Sequence, residues 1–255
     1  MLFYKDNYAT LYQVDCRENI PRIDDKIIHM VVTSPPWYFP GKDGILTHRN
    51  VNPTKYVDSL IDVLNMCWKP LADDGVVFWH MGGYECEFSE RAFKEGWENQ
   101  GCVVWDRGDE SDAIIVLSKQ KKDFSGLWQI QPVRWGVYVC RECHRVYEGQ
   151  DAVNIFPNNP DDDAYCECGA SDFLDHQATL PNELVQKCLE LGKGLVLDPF
   201  AGTGTTGVVA RKLGRKSILH EINPNFCLMA KARLVKARDE VEIASFGKVV
   251  SSNPW

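Results

Sequence analysis

Residues 194–207 of the chain read Gly-Leu-Val-Leu-Asp-Pro-Phe-Ala-Gly-Thr-Gly-Thr-Thr-Gly, and the predicted fold is built outward from this stretch. The apolar run from Leu195 to Leu197 is short and dense enough for a buried parallel strand. Glycines follow it, and from Thr205 apolar residues recur with helical spacing until Gly214. A strand, a glycine turn and a helix form the first unit of a Rossmann-type nucleotide site. The alternative is an ordinary strand-to-helix turn that contains glycines.

The turn departs from the fingerprint of dinucleotide-binding proteins. Asp198 and Phe200 stand where a pyrophosphate turn would begin. A second strand at 216–220 ends on Glu221, about 20 residues past the loop, where an acid that binds ribose hydroxyls is expected. One carboxylate before the loop and a second one that binds the ribose hydroxyls suit a nucleoside that also carries a positively charged group. That description favours S-adenosylmethionine over NAD.

Composition indicates a globular protein of one domain, with or without an insertion. The 255 residues are 44% hydrophobic and 25% charged, which allows a sizeable core. No apolar segment is long enough to cross a bilayer and the N-terminus lacks a signal-peptide layout, so we expect a cytoplasmic protein.

In a cytoplasmic protein, ten cysteines indicate free thiols or metal ligands rather than disulfides. The net charge of −8 argues against a protein that merely coats nucleic acid, but not against an enzyme with a basic face.

Strand and helix patterns alternate along most of the chain, which predicts an α/β fold with a mostly parallel, doubly wound sheet. The basic residues of the last helix, Arg233 among them, are expected on a solvated surface. The expected strands lie at 11–15, 26–32, 76–80, 102–105 and 113–117, and the expected helices at 54–70, 88–99, 183–191 and 224–238.

A rigid loop, Ser34-Pro-Pro-Trp37, follows the strand at 26–32. Two consecutive prolines cannot continue a central strand, because they lack N–H donors. The loop is therefore expected at the carboxyl edge of the sheet, where open α/β folds place their chemistry. A structural turn could also use Pro-Pro, but it would not need the adjacent tryptophan.

Taken together, Ser34-Pro-Pro-Trp37 and Asp198-Pro-Phe-Ala-Gly-Thr-Gly-Thr205 resemble the DNA amino-methyltransferases. The catalytic loop comes first and the cofactor loop last, an order that resembles the permuted β group of that family. The resemblance covers nearly the whole chain except about 134–175. Further matching segments lie at 12–16, 103–107, 176–181 and 221–224.

The resemblance implies a role for each residue of the catalytic loop. The Ser34 hydroxyl and the Pro35 carbonyl would accept hydrogen bonds from the target amine, and Pro35 and Pro36 would keep the loop stiff. Trp37 would stack on a base flipped out of double-stranded DNA. A cytosine-C5 enzyme would need a cysteine after a proline, and no Pro-Cys occurs.

The resemblance also implies a set of residues that bind S-adenosylmethionine. Asp198 has an alternative role as a cap for the N–H groups of its own loop. The implied contacts are Asp15 with the adenine end, Glu221 with the ribose, Phe200 packed on the cofactor, Gly202, Thr203, Gly204 and Thr205 with the methionine part, and Asp198 near the ammonium.

Residues 134–175 interrupt the α/β pattern, as an insertion between two parts of a methyltransferase domain, 1–133 and 176–255. Two close cysteine pairs at this separation suit a structural Zn(II) site with tetrahedral thiolate ligands. His144 or His176 could replace one thiol, and the alternative is four unligated thiols on a loop. The predicted zinc ligands are Cys140, Cys143, Cys166 and Cys168.

Basic and aromatic side chains surround these thiols, among them Arg134, Trp135 and Arg145, and such side chains suit contact with DNA. In the resembled family the target-recognition segment lies between the catalytic and cofactor halves, which is where the insertion lies. The alternative is a stabilising lid far from DNA. The sequence leaves open whether the protein is a monomer or a homodimer.

The predicted function is transfer of a methyl group from S-adenosylmethionine to the exocyclic amine of a base at specific DNA sites, as in restriction-modification. The Ser-Pro-Pro form resembles cytosine-N4 enzymes more often than adenine-N6 enzymes, so N4 is favoured and N6 stays open. Two further alternatives are a catalytically silent relative that binds nucleic acid, and methylation of RNA or protein on the same fold.

Overall fold

The computed structural model describes residues 1–36, 52–81, 83–106, 111–121, 137–148, 167–168, 173–176 and 179–251. None of the helices in these ranges is long and apolar enough to cross a membrane. The strands are β1 Leu2–Lys5, β2 Ala9–Gln13, β3 Ile28–Thr33, β4 Leu71–Met81, β5 Glu98–Asp106, β6 Ser111–Ser118, β7 Val137–Cys140, β8 Val146–Glu148, β9 Phe173–His176, β10 Leu195–Asp198 and β11 Ser217–Glu221. The helices are α1 Cys16–Asn19, extended by a 3-10 turn at Ile20–Arg22, α2 Pro53–Met66, α3 Glu85–Lys94, α4 Asn182–Glu190, α5 Thr205–Lys212 and α6 Pro224–Ser251.

The larger sheet has eight strands in the order β1-β2-β11-β10-β3-β4-β6-β5. The five strands from β2 to β4 in this order run parallel, whereas β6 is antiparallel to both of its neighbours and β1 is antiparallel to β2. The chain leaves β10 towards β11 on one side and leaves β3 towards β4 on the other. The carboxyl ends of β10 and β3 therefore form a topological switch point, where open α/β sheets bind ligands. The predicted α/β fold class is confirmed.

The central strands are buried on both faces, which is why they read as nearly continuous apolar runs. In β3, Val31 packs into the cluster that contains the apolar side of α2, while Met30 and Val32 pack into the opposite cluster with α4. Neighbouring residues of one strand thus support helices on both sides of the sheet. The strand that leads into the proline loop is therefore packed on both of its faces.

Three predicted helix ends are wrong. The helix predicted at 54–70 ends at Met66. The helix predicted at 88–99 ends at Lys94, and Gly96, with φ +96°, turns the chain into β5. Trp97 fits the apolar spacing of a helix, which is why the helix was predicted to continue past it. It lies outside the helix, and it is 1% exposed because its ring packs against Trp68 and its Nε1 donates to Asn65 Oδ1. At the other end of the chain, α6 continues past the predicted end at 238 to Ser251.

A second, three-stranded antiparallel sheet has the order β8-β7-β9. Its apolar side contacts α6, where Val137, Val139 and Leu174 pack against Phe226 and Met229. Except for His176 at the end of β9, the small sheet falls within 134–175, the segment where the alternation of strands and helices was expected to stop. The boundaries of the insertion at 134 and 175 stay a prediction.

Candidate active site

A cavity opens at the carboxyl ends of β3 and β10, where Ser34 of the proline loop faces the glycine loop that follows β10. A larger cavity at the opposite, amino-terminal edge of the sheet contains none of the predicted site residues. Folding therefore brings together two motifs that lie far apart in the chain. The cavity at the switch point is lined by Ser34, Thr179, Leu180, Asp198, Phe200, Ala201, Gly202, Thr203, Thr205 and Thr206.

Asp198 connects the ends of the two central strands. Its Oδ1 accepts hydrogen bonds from Thr33 Oγ1 at 2.6 Å and from the Phe200 N–H at 3.0 Å. The side chain is 3% exposed, and this burial raises the pKa of Asp198 to about 6. The capping role for Asp198 is therefore observed. Contact with a cofactor ammonium stays a prediction.

Glu221 shapes the glycine loop from the end of β11. Its Oε2 accepts from the Gly202 N–H at 2.8 Å and its Oε1 from the Asn223 N–H at 2.7 Å. Burial raises the pKa of Glu221 above its ordinary value. Asp15, two residues after the end of β2, accepts from the Arg17 N–H at 3.0 Å and caps α1. Neither carboxylate lines the cavity, and their contacts with a nucleoside stay predictions.

Arg233 of α6 stabilises the same loop from behind, so its expected place on a solvated surface is wrong. It is 3% exposed, and its Nη1 donates to Thr203 O at 2.9 Å, Thr203 Oγ1 at 3.0 Å and Thr205 Oγ1 at 2.8 Å. Its charge is balanced by Glu148 of β8, whose Oε2 lies 2.9 Å from Nη2. A solvated helix face could not be distinguished from a buried one by charge spacing alone.

The proline loop is held by two contacts that the sequence does not reveal. The Tyr56 hydroxyl of α2 donates to the Pro36 carbonyl at 2.9 Å, which limits movement of the Pro-Pro segment. Ser34 Oγ lies 2.8 Å from Nδ1 of His80, near the end of β4. Trp37, the fourth residue predicted for this loop, lies outside the described residues.

Behind His80 lies Asp112, at the start of β6. The distance from His80 Nε2 to Asp112 Oδ2 is 3.4 Å, and both side chains are nearly fully buried. Sequence reasoning missed both residues. The available signal was the position of His80, which ends an apolar strand next to the strand that leads into Ser34.

Three cysteines of the small sheet cluster near its turn. The sulfur atoms of Cys140, Cys143 and Cys168 lie within 4.8 Å of one another, and those of Cys140 and Cys168 are 3.7 Å apart. Thiolates about 2.3 Å from a tetrahedral zinc ion would be about 3.8 Å apart, so this spacing fits zinc ligands. The fourth predicted ligand, Cys166, lies outside the described residues.

The turn between the first two thiols has a backbone that suits a metal site. The His144 N–H donates to Cys140 O at 3.0 Å, and the Cys140 N–H donates to Arg145 O at 3.0 Å. His144 adopts φ +58° and is not a member of the sulfur cluster. These bonds fold the turn back on itself, so that both sulfurs face the same point.

Comparison with known proteins gives consistent matches. A family model described as DNA methylase, of the N6/N4 methyltransferase type, matches residues 28–232. The chain is 37% identical over 282 residues to the type II methyltransferase M.XycI of Xanthomonas campestris pv. cyanopsidis, covering 89% of this chain and 87% of that protein. It is also 37% identical over 260 residues to the type II methyltransferase M.ScaI of Streptomyces caespitosus, covering 91% and 83% of the two chains.

Solved structures share the fold. The PvuII DNA methyltransferase (cytosine-N4-specific) superposes with a TM-score of 0.67 at 20% identity, over 93% of each chain. A Thermus thermophilus protein described as a DNA modification methylase, complexed with S-adenosyl-L-methionine, superposes with a TM-score of 0.59 at 21% identity. The latter match covers 90% of this chain and 95% of that one.

Proposed function

Because the chain belongs to the N6/N4 DNA methylase family and is an S-adenosylmethionine-dependent DNA amino-methyltransferase, we propose that it methylates N4 of cytosine at specific sites in double-stranded DNA. The observation that carries the proposal is the cavity in which Ser34 of a Ser-Pro-Pro loop faces the glycine loop. Ser-Pro-Pro is the form that resembles cytosine-N4 enzymes more often than adenine-N6 enzymes. The structural neighbour described as cytosine-N4-specific supports the same choice of base.

The glycine loop fits the methionine part of S-adenosylmethionine. Gly202 has φ +51°, and no atom lies within 4 Å of the position that a Cβ would take, so a ligand can approach the backbone there. The carboxylate of Asp198 at the cavity wall complements an ammonium group. We assign cofactor binding to Asp15, Asp198, Phe200, Gly202, Thr203, Gly204, Thr205 and Glu221.

The exocyclic amine of a base is a poor nucleophile, because its lone pair is delocalised into the ring. In the proposed mechanism the Ser34 hydroxyl and the Pro35 carbonyl accept hydrogen bonds from the amine and favour a pyramidal nitrogen. The bond from Tyr56 to Pro36 keeps these acceptors in place, and Trp37 stacks on the flipped base. S-adenosylmethionine supplies a methyl group that is bonded to a positively charged sulfur. As the amine lone pair forms the new N–C bond, the electrons of the C–S bond pass to the sulfur. The amine releases one proton to solvent.

We further assign a structural Zn(II) to Cys140, Cys143, Cys166 and Cys168, and target recognition to the segment 134–175. The 3.7 Å separation of two of the sulfurs supports the metal site. Protein purified without chelator should contain about one equivalent of zinc, because folding of the thiol turn and metal binding are coupled. The Cys140→Ser variant should lose the metal, and a zinc-free wild-type protein would contradict the assignment.

Nucleoside mass spectrometry of DNA incubated with protein and S-adenosylmethionine tests the function. We expect N4-methylcytosine from the wild-type protein and from Ser118→Ala, which removes a hydroxyl at the far end of β6, but about 100-fold less from Ser34→Ala. N6-methyladenine would overturn the base and keep the reaction class. No methylated nucleoside on several DNAs would instead favour an RNA substrate or a silent binder.

A further inference from the structure

We propose that Arg233, held in place by Glu148, is a positioning residue that makes the cofactor loop selective for a ligand with a carboxylate. It does so by directing the hydroxyl protons of Thr203 and Thr205 away from itself and towards the cavity. The inference rests on the proposed function, because it names the part of S-adenosylmethionine that these two threonines bind.

Glu148 fixes the orientation of the guanidinium. Nε and Nη2 of Arg233 lie 3.0 and 2.9 Å from Oε2 of Glu148. This pairing leaves Nη1 directed at the loop, where it donates to Thr203 O, Thr203 Oγ1 and Thr205 Oγ1. Arg233 is 3% exposed, so water does not compete freely for these bonds. The planar guanidinium therefore joins an acid on one side to the loop on the other.

The bonds from Arg233 decide where the two threonine protons point. A guanidinium has only donors, so Oγ1 of Thr203 and Oγ1 of Thr205 each accept from it through a lone pair. The protons of both hydroxyls must then point away from Arg233, and both residues line the cavity at the switch point. The hydroxyl of Thr206 differs, because it bonds to the Asp198 side chain. Thr203 and Thr205 therefore offer two hydroxyl donors to a ligand in the cavity.

Two hydroxyl donors next to a buried cation suit an anion. The methionine part of S-adenosylmethionine carries an ammonium, which we assign to Asp198, and a carboxylate. An anionic Asp198 repels that carboxylate, so binding of the carboxylate needs donors that offset the repulsion. The positive charge of Arg233 polarises the two hydroxyls and strengthens the hydrogen bonds that they donate. The cavity can thereby recognise both charges of the methionine part at the same time.

Decarboxylated S-adenosylmethionine tests the inference, because it lacks the carboxylate but keeps the ammonium and the sulfonium. Isothermal titration calorimetry at pH 7.5 gives its Kd and the Kd of S-adenosylmethionine, and the ratio of the two measures the contribution of the carboxylate. We expect a ratio of about 10 to 100 for the wild-type protein. In Arg233→Gln the ratio should fall to about threefold or less. Arg238→Gln removes a charge from a half-exposed position of the same helix and should keep the wild-type ratio.

A pair of substitutions at Thr205 provides the same test if the loss of Arg233 prevents folding. Thr205→Val removes the hydroxyl with almost no change in size. It should lower the ratio by a factor of at least about three, by weakening the binding of S-adenosylmethionine more than that of the decarboxylated ligand. Thr205→Ser retains the hydroxyl and should keep the wild-type ratio.

The ratio separates positioning from general damage to the loop. A purely structural role for Arg233 would raise both Kd values by the same factor and leave the ratio unchanged in Arg233→Gln and Thr205→Val. That result would overturn the inference, and so would a wild-type protein that binds the two ligands equally well. A wild-type protein that shows the expected ratio but methylates no DNA would support the inference and contradict the proposed function.

Discussion

Asp198 is subject to opposing influences. Burial destabilises its anionic form, whereas hydrogen bonds from Thr33, Thr206 and the Phe200 N–H stabilise it. Burial dominates, so the pKa rises from 3.8 to about 6. A carboxyl group with a raised pKa thus lies in the place where we propose that the cofactor ammonium binds.

The affinity for S-adenosylmethionine should depend on this titration. Pairing with an ammonium requires the anion, so below about pH 6 binding must first remove a proton, and the affinity should fall by up to about tenfold per pH unit. Isothermal titration calorimetry at pH 5, 6 and 7.5 measures the effect. Asp198→Asn should bind more weakly at pH 7.5 and show a flatter profile, and a wild-type profile without a break near pH 6 would contradict the role.

The same shift acts on stability with the opposite sign. Because the folded pKa of Asp198 lies above the unfolded value, the folded cofactor-free protein binds more protons between about pH 4 and 6. The contribution of Asp198 to the free energy of unfolding is therefore greatest below this range and decreases as the pH rises through it. A bound cofactor should remove this decrease.

At the scale of elements, the turn into α5 depends on close approach of two helices. Gly204 precedes α5 with φ +78°, and a Cβ on it would lie 3.0 Å from the Cβ of Ala230 in α6. A residue with a side chain at this position would therefore meet both backbone strain and steric contact. At Gly214, just after α5, φ is +69° but no atom lies within 4 Å of the Cβ position, so a substitution there would meet the backbone strain alone.

Alanine substitutions at these two glycines should separate the two effects. Gly214→Ala should lower the free energy of unfolding by about 1 kcal/mol through backbone strain. Gly204→Ala should lower it by about 2–3 kcal/mol, because α6 must also move, and it should weaken cofactor binding. Urea denaturation with and without S-adenosylmethionine measures both quantities. Equal losses for the two variants would show that the contact with Ala230 relaxes without cost.

At the scale of the whole molecule, Arg233 joins the small sheet to the glycine loop. Burial raises the pKa of Glu148, but Arg233 and Lys236 outweigh this effect and hold it below its ordinary value. The buried guanidinium depends on Glu148 for charge balance and on Thr203 and Thr205 for acceptors. A change in the small sheet should therefore reach the loop, although Glu148 does not line the cavity.

Glu148→Gln tests this connection, because it removes the anionic partner that the described residues provide for the buried Arg233. We expect the Kd for S-adenosylmethionine to rise about three- to tenfold, a part of the roughly 3–5 kcal/mol that breaking a buried ion pair costs the folded protein. Glu142→Gln removes the same charge from an exposed position in the turn between β7 and β8 and should leave the Kd unchanged. If both variants bind like the wild-type protein, the small sheet and the loop are energetically independent.

Local chemistry was enough to predict the fold class and the ends of the strands that carry the site. Apolar runs bounded by Asp-Pro, Pro-Pro and glycine specify buried strands with loops at one edge, and these patterns involve only neighbouring residues. The close cysteine pairs are local in the same sense, and Cys140, Cys143 and Cys168 do meet. The end of α3 was missed, because the burial of Trp97 against Trp68 depends on packing rather than on helical periodicity.

The sequence by itself therefore determined an α/β sheet, the order of its two motifs and the residues at the tips of its central strands. Only the tertiary structure decided which side chains stand behind those tips: His80 and Asp112 behind Ser34, and Arg233 behind the glycine loop. The physical reason is the separation along the chain over which each kind of interaction acts. Turn chemistry and apolar periodicity act between near neighbours in the chain, whereas strand order and helix packing choose partners across the molecule and bury charges that look like surface residues in the sequence.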